Sequence, residues 1–339
     1  MRILATRKIP DAGLAILRRA GEVRIVAETE EEIVLPERIR AAVRDADVLV
    51  SLLTESIDRG MLEAGSLLRG VANMAVGFNN VDVGAATRLG LPVTNTPGVL
   101  TDTTADLAFA LLLAVARNVV PADRHMRSGR FRLWGPSLLL GADVSRGGSG
   151  EPKVLGIVGF GRIGQAVFRR ARGFDMRALA FDPPLRRLIE GTEGVEYAEF
   201  DRLLAESDFV TLHTDLNPST RHLFDARAFG RMKRTAILIN TSRGPVVDER
   251  ALVEALRAGT IAGAGLDVYE EEPAMAPGLA ALDNVVVLPH VASASRDTRN
   301  KMASMCAENA VAHLEGRAAP NCVNPEVYET EAWRRRVGR

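Results

Sequence analysis

Residues 153–173 read KVLGIVGFGRIGQAVFRRARG. A short apolar, β-prone run passes directly into Gly159-Phe160-Gly161-Arg162-Ile163-Gly164, and then into a stretch whose apolar positions recur at helical spacing. The first glycine permits a tight turn out of the strand, the second lets backbone approach a pyrophosphate, and the third lets helix and strand pack closely. Free N–H groups and the dipole at the helix start then favour an anion. Strand, glycine turn and helix in this order predict a doubly wound α/β domain that binds a dinucleotide.

Toward the C-terminus the same alternation persists to about residue 290, through RALAFD, FDRLLAESD, FVTLH, TAILINT, DERALVEALRAG, AGAGLDV and NVVVLPH. On the other side, residues 129–152 are irregular, with Gly129, Gly135, Gly141 and the run Gly147, Gly148, Ser149, Gly150, which marks a loop or excursion. Before it, TTADLAFALLLAVAR (103–117) is apolar nearly all round and predicts a buried helix lying between two domains. From residue 2 to about 95, short apolar runs such as RILAT, EVRIV and DVLVSLL alternate with amphipathic stretches, so a second parallel sheet with helices on both faces is expected. DADVLVSLL and ESDFVTLHT echo each other faintly. A last long helix, roughly 295–315, follows the second sheet and is expected to return to the first. The predicted division is therefore 1–100 with 292–330, and 101–291. Arg334, Arg335 and Arg336 near the end are read as a frayed, solvated terminus.

Composition narrows the function. With 339 residues, 47% hydrophobic and 25% charged, the chain has the balance of a globular protein of two domains. Lysine plus arginine equals aspartate plus glutamate at 43 each, so no global field attracts nucleic acid or an anionic membrane. Cys306 and Cys322 form neither a disulfide framework nor a metal-ligand spacing, which suits a reducing cytoplasm and a site without metal. Neither a signal peptide nor a run of ~18 apolar residues long enough for a membrane span is apparent.

Asp182 closes the strand after the glycine turn, where a carboxylate accepts hydrogen bonds from ribose hydroxyls and repels a 2′-phosphate, so NAD is expected over NADP. A solvated turn residue before Pro183 is the alternative. Arg243, Glu272 and His290 each stand just past a strand, where ligands of open α/β sheets bind. An arginine fork suits a carboxylate, and a histidine beside a carboxylate suits proton transfer near neutrality. His213, at the end of FVTLH, competes with His290; His125, His222 and His313 read as surface residues.

Taken together, VGFNNVDVGAAT, NTPGVLTDTTADLAFALLLAVAR, GIVGFGRIGQA, INTSRGPVVDERAL, GAGLDVYEEEP, LPHVASAS and VNPEVY resemble the D-isomer-specific 2-hydroxyacid dehydrogenases, nearest the glyoxylate/hydroxypyruvate reductase branch. The resemblance implies two flavodoxin- or Rossmann-like domains facing a cleft, with hinges near residues 98–103 and 291–295. It assigns Arg243, Glu272 and His290 as the catalytic triad and leaves Glu270 and Glu271 as solvated acids. For the cofactor it implies Gly159, Gly161, Arg162, Ile163, Gly164, Asp182, Thr241 and Asp267; for the substrate it implies Leu52, Val76 and Gly77 beside Arg243 and His290. A homodimer is implied too, with an arm near 118–150 whose Trp134 reaches the partner. The segment GADVSRGGSGEPKV departs from the family by its length and glycine content. A phosphoglycerate-dehydrogenase-like enzyme, for which Arg296 or Arg299 would have to meet a phosphate, and a non-catalytic NAD-sensing scaffold of corepressor type are the rival readings.

Overall fold

The computed structural model describes residues 1–29 and 31–338. They form two compact units, Met1–Leu100 with the chain from Ser293 onward, and Thr101–Ala292.

The first unit holds β1 (Arg2–Arg7), α1 (Asp11–Ala20), β2 (Glu22–Ala27), α2 (Pro36–Val43), β3 (Val48–Ser51), α3 (Arg59–Ala64), β4 (Val71–Asn73), α4 (Val83–Arg88) and β5 (Val93–Thr94). Its strands are all parallel, in the order β2-β1-β3-β4-β5. The second unit holds α5 (Thr101–Ala116), α6 (Val119–Arg127), β6 (Val154–Val158), α7 (Arg162–Arg172), β7 (Arg177–Phe181), α8 (Arg186–Glu190), β8 (Val195–Tyr197), α9 (Phe200–Glu206), β9 (Phe209–Leu212), α10 (Ala226–Arg231), β10 (Ile237–Asn240), α11 (Glu249–Arg257), β11 (Gly263–Leu266) and β12 (Val285–Val287). Here seven parallel strands run β12-β11-β10-β9-β6-β7-β8. The chain then completes the first unit with α12 (Arg296–Leu314) and α13 (Glu331–Arg336).

Central strands such as VLVS and VLGIV are buried at every position because both faces of each sheet are covered, which is why they read as continuous apolar runs. Strand order reverses between β1 and β3 in one unit and between β6 and β9 in the other. Such reversals open the crevices in which α/β sheets bind ligands. The faint echo in the sequence falls on β3 and β9, each the first strand across its own reversal. Helix starts follow local chemistry: Asp58, Asp82, Asp225, Asp248, Ser295 and Thr330 each accept an amide N–H of the first helical turn.

In the first unit α12 packs on α1, β3 and β4. Met302, Ala303 and Cys306 meet Ile3, Leu14, Val48 and Val50 there. Close approach depends on Gly13, where a Cβ would lie 2.6 Å from the Ala303 carbonyl oxygen. Two expectations fail in this region. His313 is not at the surface but 1% exposed, its Nε2 3.3 Å from Thr94 Oγ1, and a Cβ on Gly70 would strike its ring at 2.5 Å. Burial pushes this imidazole down to about 4. The terminus is not frayed either. Trp333 is buried, and Arg336 donates to the carbonyls of Leu89, Ser66 and Leu68 at 2.6, 3.1 and 2.8 Å, while Arg334 and Arg335 stay exposed.

In the second unit α5 buries Ala105, Ala108, Leu111 and Leu112 against α7, β10 and β11. Among the described residues no single helix is long and apolar enough to cross a membrane; α5 and α6 reach that mark only together, across a 63° bend. The glycine-rich lead into β6 is a small hairpin rather than a free loop: Lys153 N–H donates to Ser145 O, Gly147 N–H to Glu151 O, and Gly150 turns the chain at φ 86°. Before it, Leu133, Trp134 and Leu140 are 84%, 73% and 69% exposed.

Candidate active site

The glycine turn behaves as its spacing predicts. Gly159 sits at φ 91°, and a Cβ there would lie 2.6 Å from the His213 backbone; one on Gly164 would lie 2.1 Å from Gly159 O. A Cβ on Gly161 would meet nothing within 4 Å, so that side chain is missing to leave room, not to allow packing. Arg162 and Ile163 follow at the start of α7. Asp182 Oδ2 accepts the Phe160 N–H at 2.8 Å, which fixes the carboxylate beside the turn. Among the described residues two buried polar atoms at the ends of neighbouring strands, His213 Nδ1 and Thr241 Oγ1, have no hydrogen-bond partner. Buried polar atoms are rarely left so unless a ligand or water completes them. An open cradle at Gly161, a helix start, an oriented carboxylate and orphaned polar atoms suit a dinucleotide.

Asp267 directly follows β11 and is fully buried, and its oxygens accept the amides of Val291 and Ala292, both at 2.8 Å. Burial pushes its carboxyl up while these two amides work against that push. Its direct work is thus to hold the backbone just past His290.

Arg243 follows β10 in a turn shaped by Asn240, whose amide donates to Arg243 O at 3.1 Å and whose Oδ1 accepts from the Ser242 amide and hydroxyl. Burial pulls the guanidinium down, and the carboxylates of Asp215 and Glu272 oppose that pull. Glu272 accepts the Tyr269 N–H at Oε1, 3.0 Å, and pairs through Oε2 with His290 Nδ1 at 2.8 Å. Burial on its own would raise this carboxyl, but the His290 bond and charge, the Tyr269 amide and Arg243 outweigh it and hold it below the usual range. Glu272 is therefore an anion at neutral pH. With Nδ1 on the carboxylate, His290 has Nε2 left to exchange a proton. The second unit thus brings Arg243, Glu272 and His290 together. His213 has a different setting: its Nε2 meets Thr211 Oγ1 at 2.8 Å, no carboxylate pairs with it among the described residues, and burial pushes it down to about 3.

One further reading needs correction. His222 is at the surface as expected, its side chain 39% exposed, but it lies in a loop with Nε2 2.5 Å from Glu270 Oε1. Glu270 is accordingly not a solvated acid, whereas Glu271 is exposed.

In the first unit, the loops after β3 and β4 carry Leu52, Val76 and Gly77, all half-buried. Asn80 donates to Leu52 O at 2.9 Å, Asn95 to Val76 O at 2.7 Å, and Asn73 to Gly77 O at 3.0 Å. These three bonds fix the course of the backbone through Leu52, Val76 and Gly77. Buried Glu55 anchors the loop below by accepting from Leu52 N, Thr6 Oγ1 and Arg7 Nε. The sequence reading missed these asparagines, Glu55 and Asp215. Only Asp215 carried a usable signal, since it lies just past a strand end like Arg243.

A profile of the D-isomer specific 2-hydroxyacid dehydrogenase NAD binding domain matches residues 109–292. A glyoxylate reductase of Korarchaeum cryptofilum is 51% identical over 333 residues, spanning 97% of each chain. The chain belongs to the D-isomer specific 2-hydroxyacid dehydrogenase family. Among solved structures, a protein of Thermus thermophilus is similar at TM-score 0.86 with 43% identity, covering 95% of this chain and 100% of that one. A NADPH-dependent glyoxylate/hydroxypyruvate reductase of Sinorhizobium meliloti, in complex with NADP and malonate, is similar at TM-score 0.79 with 34% identity, covering 96% and 97%. As a member of this family the chain is a 2-hydroxyacid dehydrogenase with a nucleotide-cofactor domain, acting on small 2-oxo and 2-hydroxy acids. The resemblance read from the sequence and the paired α/β architecture both hold.

Proposed function

We propose that this dehydrogenase reduces a small 2-oxo acid, glyoxylate or hydroxypyruvate, to its D-2-hydroxy acid, with His290 as the acid and base. The observation that carries the proposal is the ionised Glu272 on His290 Nδ1 with Arg243 close enough to be felt by Glu272. Reduced nicotinamide, when bound, supplies the hydride. Arg243 grips the substrate carboxylate and polarises the carbonyl. Protonated His290 gives its Nε2 proton to the carbonyl oxygen as negative charge develops there, and Glu272 stabilises the imidazolium beforehand. Leu52, with the amides of Val76 and Gly77, is assigned to the substrate. Gly159, Gly161, Arg162, Ile163, Gly164, Asp182 and Thr241 are assigned to the cofactor, with Asp267 acting through backbone.

Asp182 supports NAD over NADP, because a fixed anion beside the glycine turn opposes a 2′-phosphate. Exposed Leu133, Trp134 and Leu140 support self-association through the 118–150 arm, and two unpaired cysteines support a cytoplasmic setting.

The test is steady-state NADH oxidation with glyoxylate, hydroxypyruvate, phenylpyruvate and 3-phosphohydroxypyruvate. The first two should show the highest kcat/KM. Preference for the phosphorylated acid would instead favour the phosphoglycerate-dehydrogenase reading, and tight NADH binding without turnover the scaffold reading.

A further inference from the structure

Glu249, the first residue of α11, is 5% exposed, although a buried carboxylate is costly unless its oxygens are filled. Both are filled from one neighbouring segment. Oε2 accepts the Glu270 N–H at 2.9 Å and Oε1 accepts the Ala276 N–H at 2.7 Å, so a single side chain grips both ends of the stretch that carries Glu272. Glu270 answers by accepting the Glu249 N–H at 3.3 Å through Oε2, while its Oε1 pairs with His222. The His222 backbone N–H in turn donates to Pro245 O at 2.8 Å, two residues past Arg243. Between these ties, Gly244 lies so close to the Tyr269 carbonyl that a Cβ would fall 1.8 Å from its oxygen. The stretch bearing Arg243 and the stretch bearing Glu272 are thus fastened together by side chains outside the triad.

We infer that Glu249 and His222 are positioning residues that set the spacing of Arg243 from the Glu272–His290 pair; the inference rests on the catalytic assignment proposed above. Glu249→Gln puts an amino group against one of the two amides and frees one end of the stretch. His222→Asn tolerates the left-handed backbone at φ 51° but falls short of Glu270, whereas His222→Gln reaches it. The experiment compares kcat and KM for glyoxylate, and NADH Kd by fluorescence titration, in the full chain. Glu249→Gln and His222→Asn should lower kcat by about tenfold or more with NADH Kd within about twofold of the parent, and His222→Gln should recover most of the loss. The inference is overturned by kcat within about twofold of the parent in both variants, by an equal loss of NADH affinity, or by His222→Gln as impaired as His222→Asn. If Glu249→Gln does not fold, the His222 pair decides alone. His290→Asn is the control: turnover that survives it refutes the catalytic assignment, whereas turnover lost there but kept in the frame variants refutes the frame only.

Discussion

His290 and His222 each hold a ring nitrogen against a glutamate, yet the surroundings give them different work. Glu272 feels both His290 and Arg243, and stays ionised despite burial. Glu270 is tied to His222 on one oxygen and to a helix amide on the other, which is a fastening. Replacing His290 by Asn should therefore cost on the order of 10²–10⁴ in kcat, the usual worth of a placed general acid, with NADH affinity nearly intact. Single-turnover and binding measurements on His290→Asn and His213→Asn check this, and a large kcat loss in the His213 variant alone would reassign the acid. His290 and Arg243 were legible in the sequence because a strand-end rule points to them. Glu272 stood out from its two acidic neighbours only through the family resemblance. His222 and Glu249 were not legible, since the His222 side chain meets the Glu270 carboxylate and Glu249 meets backbone amides, on a segment that only folding brings near.

At the scale of single elements, α12 shows where pattern reading loses its grip. Its buried side includes Asn309 and His313, which look like surface residues until their partners are known. Asn309 donates to Asn95 O at 3.1 Å, and His313 meets Thr94, both partners lying more than two hundred residues earlier. The length and place of the helix were readable, but its facing was not. A consequence is a pH-dependent stability. His313 is held down to about 4 by burial, against about 6.5 in an unfolded chain. Between those values the unfolded state takes up a proton that the folded state refuses, so stability present above about pH 6.5 is lost as pH falls toward 4. The full difference is roughly 3 kcal/mol. Urea unfolding from pH 7 to pH 4.5 should show this slope, and His313→Phe should flatten it even if the variant is less stable throughout. Equal slopes in parent and variant would mean that other groups, buried His213 among them, carry the effect.

For the whole molecule, each unit has its own sheet with an apolar core on either face. The glycine turn and Asp182 belong to the second unit, so a cofactor that recognises only the folded turn must stabilise that unit by mass action. NADH at a hundredfold over its Kd should add about 2.7 kcal/mol. NADPH at the same concentration should raise Tm less, and Asp182→Ala should narrow the gap between the two. Differential scanning calorimetry reads all three, and equal shifts for NADH and NADPH in the parent would remove Asp182 as the discriminating group. Two-unit organisation was legible because two separate βα series can be read, although the glycine-rich segment between them lies inside the second unit and not at its boundary. The docking of α13 was not, because Arg336 is held by three carbonyls from loops far upstream.

The return of the chain to its first unit has a bearing on how the protein is made. All five strands of that unit leave the ribosome first, but α12, which covers the face formed by Ile3, Ala5, Val48, Val50 and Ala72, comes only after Thr101–Ala292 has been synthesised. At ordinary elongation speeds that interval is on the order of ten seconds or more. Throughout it this face of the nascent sheet is covered by α1 alone, through Leu14 and Leu17, and the part that α12 will take is open to chaperones or to a neighbouring nascent chain. The second unit is contiguous and can close as soon as β12 emerges, so the part of the molecule that is translated first is the last to be finished.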